Sequence, residues 1–326
     1  MLRVVFAGSP DCAVPSLEAL AAAHTIVAVL TNAPAPAGRS SKPVQTAVAL
    51  AAGRLKQQGL IAPEVPVLEP ERLTDEVRAK IHATGPDIMA CFAYGKIFSS
   101  KTLALFPLGA LNVHPSLLPK WRGCAPVPAV ILAGEPETGV TIQKMALEMD
   151  AGDIILQKKL KLTGRETAEE LLNRAALESA PLLVDAVNRF ERGETDGTPQ
   201  KDEEASYSSM LCKEDGQIDW NRSAREIDAH IRAYTPWPGA FTYRGSSMLI
   251  IHRAHIYEKA GQEDTKPAAA GTVLKAVKGE GILVSTGNGI LAMEQLQWQS
   301  KKSLDWKSFM NGTRDFEGSL LGPLSP

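Results

Sequence analysis

Short apolar runs alternate with helix-forming stretches along the first half of the chain. Val4-Val5-Phe6 runs into Gly8-Ser9-Pro10 and then a predicted helix over residues 15–23. Further apolar runs occupy residues 26–30, 88–92, 111–114 and 140–145. Their β-branched residues lack strict polar alternation, which suits strands buried on both faces. Strands separated by helices predict an α/β fold, a doubly wound, parallel, Rossmann-like sheet. A long helix is predicted over 167–192, with Thr167 and Glu170 as a capping box and Gly193 at its end.

Residues 193–209 are polar and rich in Asp, Glu, Gly, Thr and Ser, and read as an interdomain linker. Beyond it a short helix starts at Ser223, with Glu226 three residues on, and Thr235-Pro236-Trp237-Pro238-Gly239 stops it. Strand-like runs with Gly turns follow at 240–244, 248–256, 271–277, 281–286 and 289–297, and predict a small β-barrel. The expected organisation is an α/β domain over 1–192, the linker over 193–209 and the barrel over 210–326. A length of 326 residues suits two domains better than one core.

Composition adds bounds. The 44% hydrophobic and 22% charged residues are ordinary for a soluble globular protein. A formal net charge of -2 gives no overall attraction to a polyanion, so a nucleic-acid site has to be a local patch. Cys12, Cys91, Cys124 and Cys212 lie far apart, with no CxxC and no metal-ligand spacing, and read as thiols of a reducing compartment. No apolar run is long enough to cross a bilayer, and the first residues already read as a strand rather than a signal peptide. A cytoplasmic protein, monomeric by default, is the expectation.

Candidate chemistry concentrates in a few segments. In Asn112-Val113-His114-Pro115, alternation puts Asn112 and His114 on one face at the end of a strand, where doubly wound sheets bind ligands. Asn can stabilise an oxyanion and His titrates near neutral pH. A strand-end His satisfied by backbone remains equally open. Asp150, in Met149-Asp150-Ala151-Gly152-Asp153, is either a carboxylate that orients a His or part of a polar turn. Gly8-Ser9-Pro10 lacks the GxGxxG spacing, which weighs against a nicotinamide dehydrogenase. The Pro/Ala-rich loop over 32–43 carries Arg39 and Lys42, which could meet phosphate or simply face solvent. Trp121 between Lys120 and Arg122 suits an RNA-facing or folate-facing rim, or a packing anchor. Lys301, Lys302, Lys307 and Arg314 could form a phosphate-contacting face of the second domain.

Taken together these segments resemble the methionyl-tRNA formyltransferase family. The resemblance rests on Phe6-Ala7-Gly8-Ser9-Pro10-Asp11, on residues 112–119 with Trp121-Arg122-Gly123, on Glu137-Thr138-Gly139-Val140-Thr141, and on 149–153. In the second domain it rests on Ile218-Asp219-Trp220, Ile231-Arg232-Ala233-Tyr234 and Pro236-Trp237-Pro238-Gly239-Ala240. It covers nearly the whole chain. It implies formyl transfer from 10-formyltetrahydrofolate to the α-amino group of methionyl-initiator tRNA, with no metal. By that resemblance Asn112 stabilises the oxyanion, His114 assists proton transfer, and Asp150 orients His114. Ser116, Leu117, Leu118 and Pro119 are expected to line the tetrahydrofolate site. Arg39, Lys42 and Arg122 are expected to contact the tRNA, and the OB-like barrel to cradle its body. Two departures stand out: the loop before Arg39 reads Ala33-Pro34-Ala35-Pro36 where the family carries an Asp-Arg pair, and the stretch over 53–67 is longer than usual.

Overall fold

Val4, Val5, Phe6 and Ala7 are all fully buried, and successive side chains of this strand enter two different cores. That is the signature of a sheet covered on both faces. The computed structural model describes residues 1–36, 42–258 and 268–324. Within it the chain divides into two compact units. One comprises Met1–Pro126, Glu137–Lys161 and Leu172–Ser208; the other comprises Val127–Pro136, Leu162–Leu171 and Ser209–Pro326.

The first unit is built on a seven-stranded sheet. Its strands are β1 (Arg3–Gly8), β2 (Thr25–Leu30), β3 (Val67–Leu68), β4 (Ile88–Phe92), β5 (Ala110–His114), β6 (Glu137–Lys144) and β7 (Ile154–Lys161), in the order β7-β6-β5-β4-β1-β2-β3. Its longer helices are α1 (Val14–Ala23), α2 (Ala47–Gln57), α3 (Asp75–Ala83) and α4 (Ala168–Glu191). One core gathers Val4, Phe6 and Ile26 with Leu17, Leu20, Val48, Leu183 and Val187 from α1, α2 and α4. The opposite core gathers Val5, Ala7 and Met89 with Ile81 of α3, Phe98 and Phe106. Each fully buried Leu, Ile or Phe among these contributes roughly 1.5–3 kcal/mol relative to exposure. Ile61 and Val65, from the long 53–67 stretch, are buried in the first of these cores, so that elaboration packs inward.

The five strands from β3 to β5 pair in parallel, but β6 runs antiparallel to β5, and β7 antiparallel to β6. The expected parallel α/β core is present, and the β6–β7 hairpin adds an antiparallel edge to it. The chain joins β6 to β7 by a turn too short for a helix, and a turn can only join antiparallel neighbours. The helix α4 is capped as expected: Thr167 Oγ1 accepts from the Glu170 amide at 3.2 Å, and Glu170 Oε2 accepts from the Thr167 amide at 2.9 Å.

The residues read as a linker do not hang free. Tyr207–Ser208 pairs in parallel with Arg122–Gly123, and residues up to Ser208 belong to the first unit. The second unit contains α5 (Ala224–Ala233), the strands β8 (Ala240–Arg244), β9 (Ser247–Ile256), β10 (Val273–Val277), β11 (Gly281–Ser285) and β12 (Ile290–Trp298), and α6 (Trp306–Gly312). The strands pair antiparallel in the order β8-β9-β12-β11-β10. The two outer edges are bridged by the C-terminal segment: Gly322 exchanges backbone bonds with Tyr243, and Leu320 bridges to Thr272. Trp220, Ile227, Leu249, Phe309 and Phe316 fill the interior, with the Trp220 Nε1–H donating to Thr242 Oγ1 at 3.0 Å. A buried indole needs such a partner.

Candidate active site

Leu111 and Val113 of β5 point into the core, so alternation sends Ala110, Asn112 and His114 to the other face. β5 lies between β4 and β6, with Asn112 opposite Cys91 on one side and Gln143 on the other. Beyond β6, residues 145–153 fold back so that the Lys144 amide donates to the Asp153 carbonyl at 2.9 Å. Gly152 makes this closure possible: a Cβ there would stand 1.9 Å from the Lys144 carbonyl oxygen. The turn sets Asp150 in the left-handed region, φ 55°, with its side chain directed at β5.

Asp150 and His114 meet. His114 Nδ1 lies 3.5 Å from Asp150 Oδ2, and the imidazole is only 4% exposed. The other ring nitrogen, Nε2, is 2.8 Å from the Trp121 carbonyl. A carbonyl only accepts, so Nε2 carries the hydrogen and Nδ1 of the neutral ring carries the lone pair. Burial pushes the His114 pKa below its ordinary value; the Asp150 charge and the Trp121 carbonyl pull the other way but do not outweigh it. The resting ring is therefore neutral, with its basic nitrogen turned to a carboxylate. A proton arriving at Nδ1 finds a counter-ion already in place.

The carboxylate is itself tied down. Oδ2 accepts from the Gly123 amide at 2.9 Å and Oδ1 from Gln143 Nε2 at 2.8 Å. Gly123 must be glycine here, since φ is 103° and a Cβ would come within 2.3 Å of the Ser208 carbonyl oxygen. Gln143 is 2% exposed in a strand buried along most of its length. The pattern of apolar runs passes over it, although an amide directly after Val140-Thr141-Ile142 was the available signal.

Asn112, Gln143 and Asp150 line a cleft of about 160 Å³, together with Lys96, Ile97, Phe98, Met145 and Met149. Ser116, Leu117, Leu118 and Pro119, expected to line the tetrahydrofolate site, stand on the loop after β5 rather than in this cleft. Ser116 is fully buried, its hydroxyl donating to the Lys120 carbonyl at 2.7 Å. Leu118 is 3% exposed, its amide donating to Thr141 Oγ1 at 3.2 Å. Leu117 presses on Gly139, where a Cβ would meet its Cδ2 at 2.4 Å. Ser116 and Leu118 of this loop are thus buried against β6, while Leu117 and Pro119 are half-buried.

Arg122, expected to contact the tRNA, is 1% exposed, and its guanidinium donates to Gln200 Oε1 at 3.0 Å, Tyr207 Oη at 3.2 Å and Asp202 Oδ1 at 2.9 Å. Lys42 is exposed, as are Lys301, Lys302, Lys307 and Arg314. Arg39 lies outside the described residues.

The sequence pattern described as formyl transferase matches residues 2–187, and that of the formyl transferase C-terminal domain matches residues 210–314. A methionyl-tRNA formyltransferase of Treponema denticola is 49% identical over 97% of this chain and 98% of its own length. The chain belongs to the methionyl-tRNA formyltransferase family. A methionyl-tRNA formyltransferase from Clostridium thermocellum superposes with a TM-score of 0.54 at 18% identity, covering 79% of this chain and 94% of that one. HypX from Aquifex aeolicus in complex with tetrahydrofolic acid superposes with a TM-score of 0.63 at 17% identity, covering 100% of this chain and 49% of that chain. These two likenesses concern the fold. Within the family, the chemistry of this chain has to come from its own side chains, and Asn112, His114 and Asp150 are the candidates.

Proposed function

We propose that the protein transfers the formyl group of 10-formyltetrahydrofolate to the α-amino group of methionyl-initiator tRNA. The observation that carries this reading is the neutral His114 whose open Nδ1 faces Asp150 beside a cleft lined by Asn112. At about 160 Å³ the cleft takes only the reacting part of a folate donor, and its walls combine apolar Ile97, Phe98 and Met145 with polar Asn112, Gln143 and Asp150 and the cations Lys96 and Lys144. Ser116, Leu117, Leu118 and Pro119 are proposed to line the tetrahydrofolate site beside it.

Asn112 offers its amide N–H to the formyl oxygen as negative charge develops there during attack by the amine. His114 Nδ1 takes the proton the amine loses and returns it to the departing folate nitrogen, while Asp150 balances the imidazolium in between. The bond formed is the new amide C–N and the bond broken is that to the folate nitrogen, so protons and electrons balance without metal or covalent enzyme intermediate. Proton management of this kind supplies on the order of 10²–10⁴-fold. Positioning in the cleft and the Asn112 donor supply the remainder.

Arg39 and Lys42 are proposed to meet the acceptor end of the tRNA, and exposed Lys301, Lys302, Lys307 and Arg314 its phosphates. The protein is proposed to work as a cytoplasmic monomer; among the described residues no helix is long and apolar enough to cross a membrane. The test is an assay with 10-formyltetrahydrofolate and either charged initiator tRNA or a nucleotide-linked amino sugar. Formylation of the tRNA alone supports the reading, and formylation of the amino sugar alone overturns it.

A further inference from the structure

The contacts that hold Asp150 form a one-way chain. Arg122 can only donate, and its Nε–H reaches Gln200 Oε1 at 3.0 Å. That fixes the Gln200 amide, whose Nε2 then faces the Asp150 carbonyl at 2.8 Å, the Gly152 carbonyl at 2.7 Å and Gln143 Oε1 at 3.3 Å. With its oxygen so engaged, Gln143 turns its own Nε2 to Asp150 Oδ1 at 2.8 Å. A cation with 1% exposure thus stands at one end and a catalytic-site carboxylate at the other, with two amides relaying the polarity between them. Chains of this kind polarise each successive bond in a low-dielectric interior.

We propose that Gln143 and Gln200 are positioning residues for formyl transfer. They hold the Asp150 backbone in its left-handed turn and aim its carboxylate at His114 Nδ1. Gln200 reaches this place because Tyr207–Ser208 pairs with Arg122–Gly123 and draws the preceding residues against the turn. The proposal rests on the reading of Asp150 and His114 given above.

The test compares Gln143→Met, Gln200→Met, Gln143→Glu and Asp150→Ala in the full chain, with kcat and KM for both substrates measured across the neutral pH range. Gln143→Met keeps the volume and removes the donor; kcat is expected to fall about 10–100-fold with KM nearly unchanged. Gln143→Glu reads the same contact through pH: protonated it donates as the amide does, ionised it sets a like charge against Asp150, so its kcat declines as pH rises. The other groups facing Asp150 do not mask this. The Cys91 thiol, pushed up to about 12 by burial, stays neutral, and burial holds the His114 pKa below its ordinary value, so neither changes charge as the pH rises from neutrality. If Asp150→Ala is inactive while both Gln143 variants keep the parent kcat and pH profile, the positioning role is overturned. Should Gln143→Met fail to fold, the pH profile of Gln143→Glu decides alone. Near-normal turnover of Asp150→Ala overturns the reading of Asp150, and this inference with it.

Discussion

The Asp150 oxygen that lies 3.5 Å from His114 Nδ1 is the one already bonded by the Gly123 amide at 2.9 Å. The Gly123 backbone amide holds that oxygen while Gln143 holds the other, and a proton on Nδ1 completes a bond whose other partners are in place.

The pH dependence follows from this arrangement. Burial depresses the His114 pKa below 6.5, and transfer needs the neutral ring. Measured kcat should stay flat as the pH is lowered from neutrality through 6.5 and fall only below that, where the folded-state imidazole takes up its proton. An acid limb above 6.5 that disappears in His114→Gln would show the opposite shift.

Removal of the oxyanion donor should act on kcat rather than on folding. Asn112→Ala is expected to lower kcat by about 10²–10³-fold. Single-turnover kinetics with saturating substrates will read this directly, and a rate within twofold of the parent sinks the assigned role.

Two glycines should respond to alanine with opposite sign. At Gly152 the added Cβ lands 1.9 Å from a backbone oxygen, so the turn carrying Asp150 must move; a loss of about 2–3 kcal/mol and a marked fall in kcat are expected. Gly53 lies inside α2 with nothing within 4 Å of where a Cβ would stand, and its replacement should stabilise by about 0.5–1 kcal/mol. Denaturant titration of the two variants checks both signs.

Acid should destabilise the fold through its buried imidazoles. His24, His114 and His230 all have their pKa lowered, in each case chiefly by burial. The unfolded chain then binds protons more readily than the folded one, so stability present above 6.5 is lost as pH falls towards the folded values. A melting temperature that does not drop between neutral and mildly acid pH contradicts this.

The acceptor can be probed at the loop. Arg39→Ala should raise KM for charged tRNA severalfold while leaving that for the formyl donor unchanged. Equal changes in both constants would remove Arg39 from the tRNA contact.

The linear chain by itself determined much of the scaffold. Buried apolar runs announced β1, β2, β4, β5 and β6, the Thr167–Glu170 box announced α4, and period-two alternation placed Asn112 and His114 on one face. These are local consequences of backbone geometry, legible within a few residues. The tertiary structure alone decided what those residues meet. Asp150 joins His114 across 36 positions because the β6–β7 hairpin folds its turn against β5, and nothing in a polar Asp-Ala-Gly-Asp segment announces that. Arg122 and Gln200 looked like a basic rim and a linker residue. They became a buried brace because a two-residue parallel pairing, between segments 85 positions apart, enclosed them together. Contacts of this range depend on how whole elements pack, and packing is a property of the assembled core rather than of any stretch of sequence.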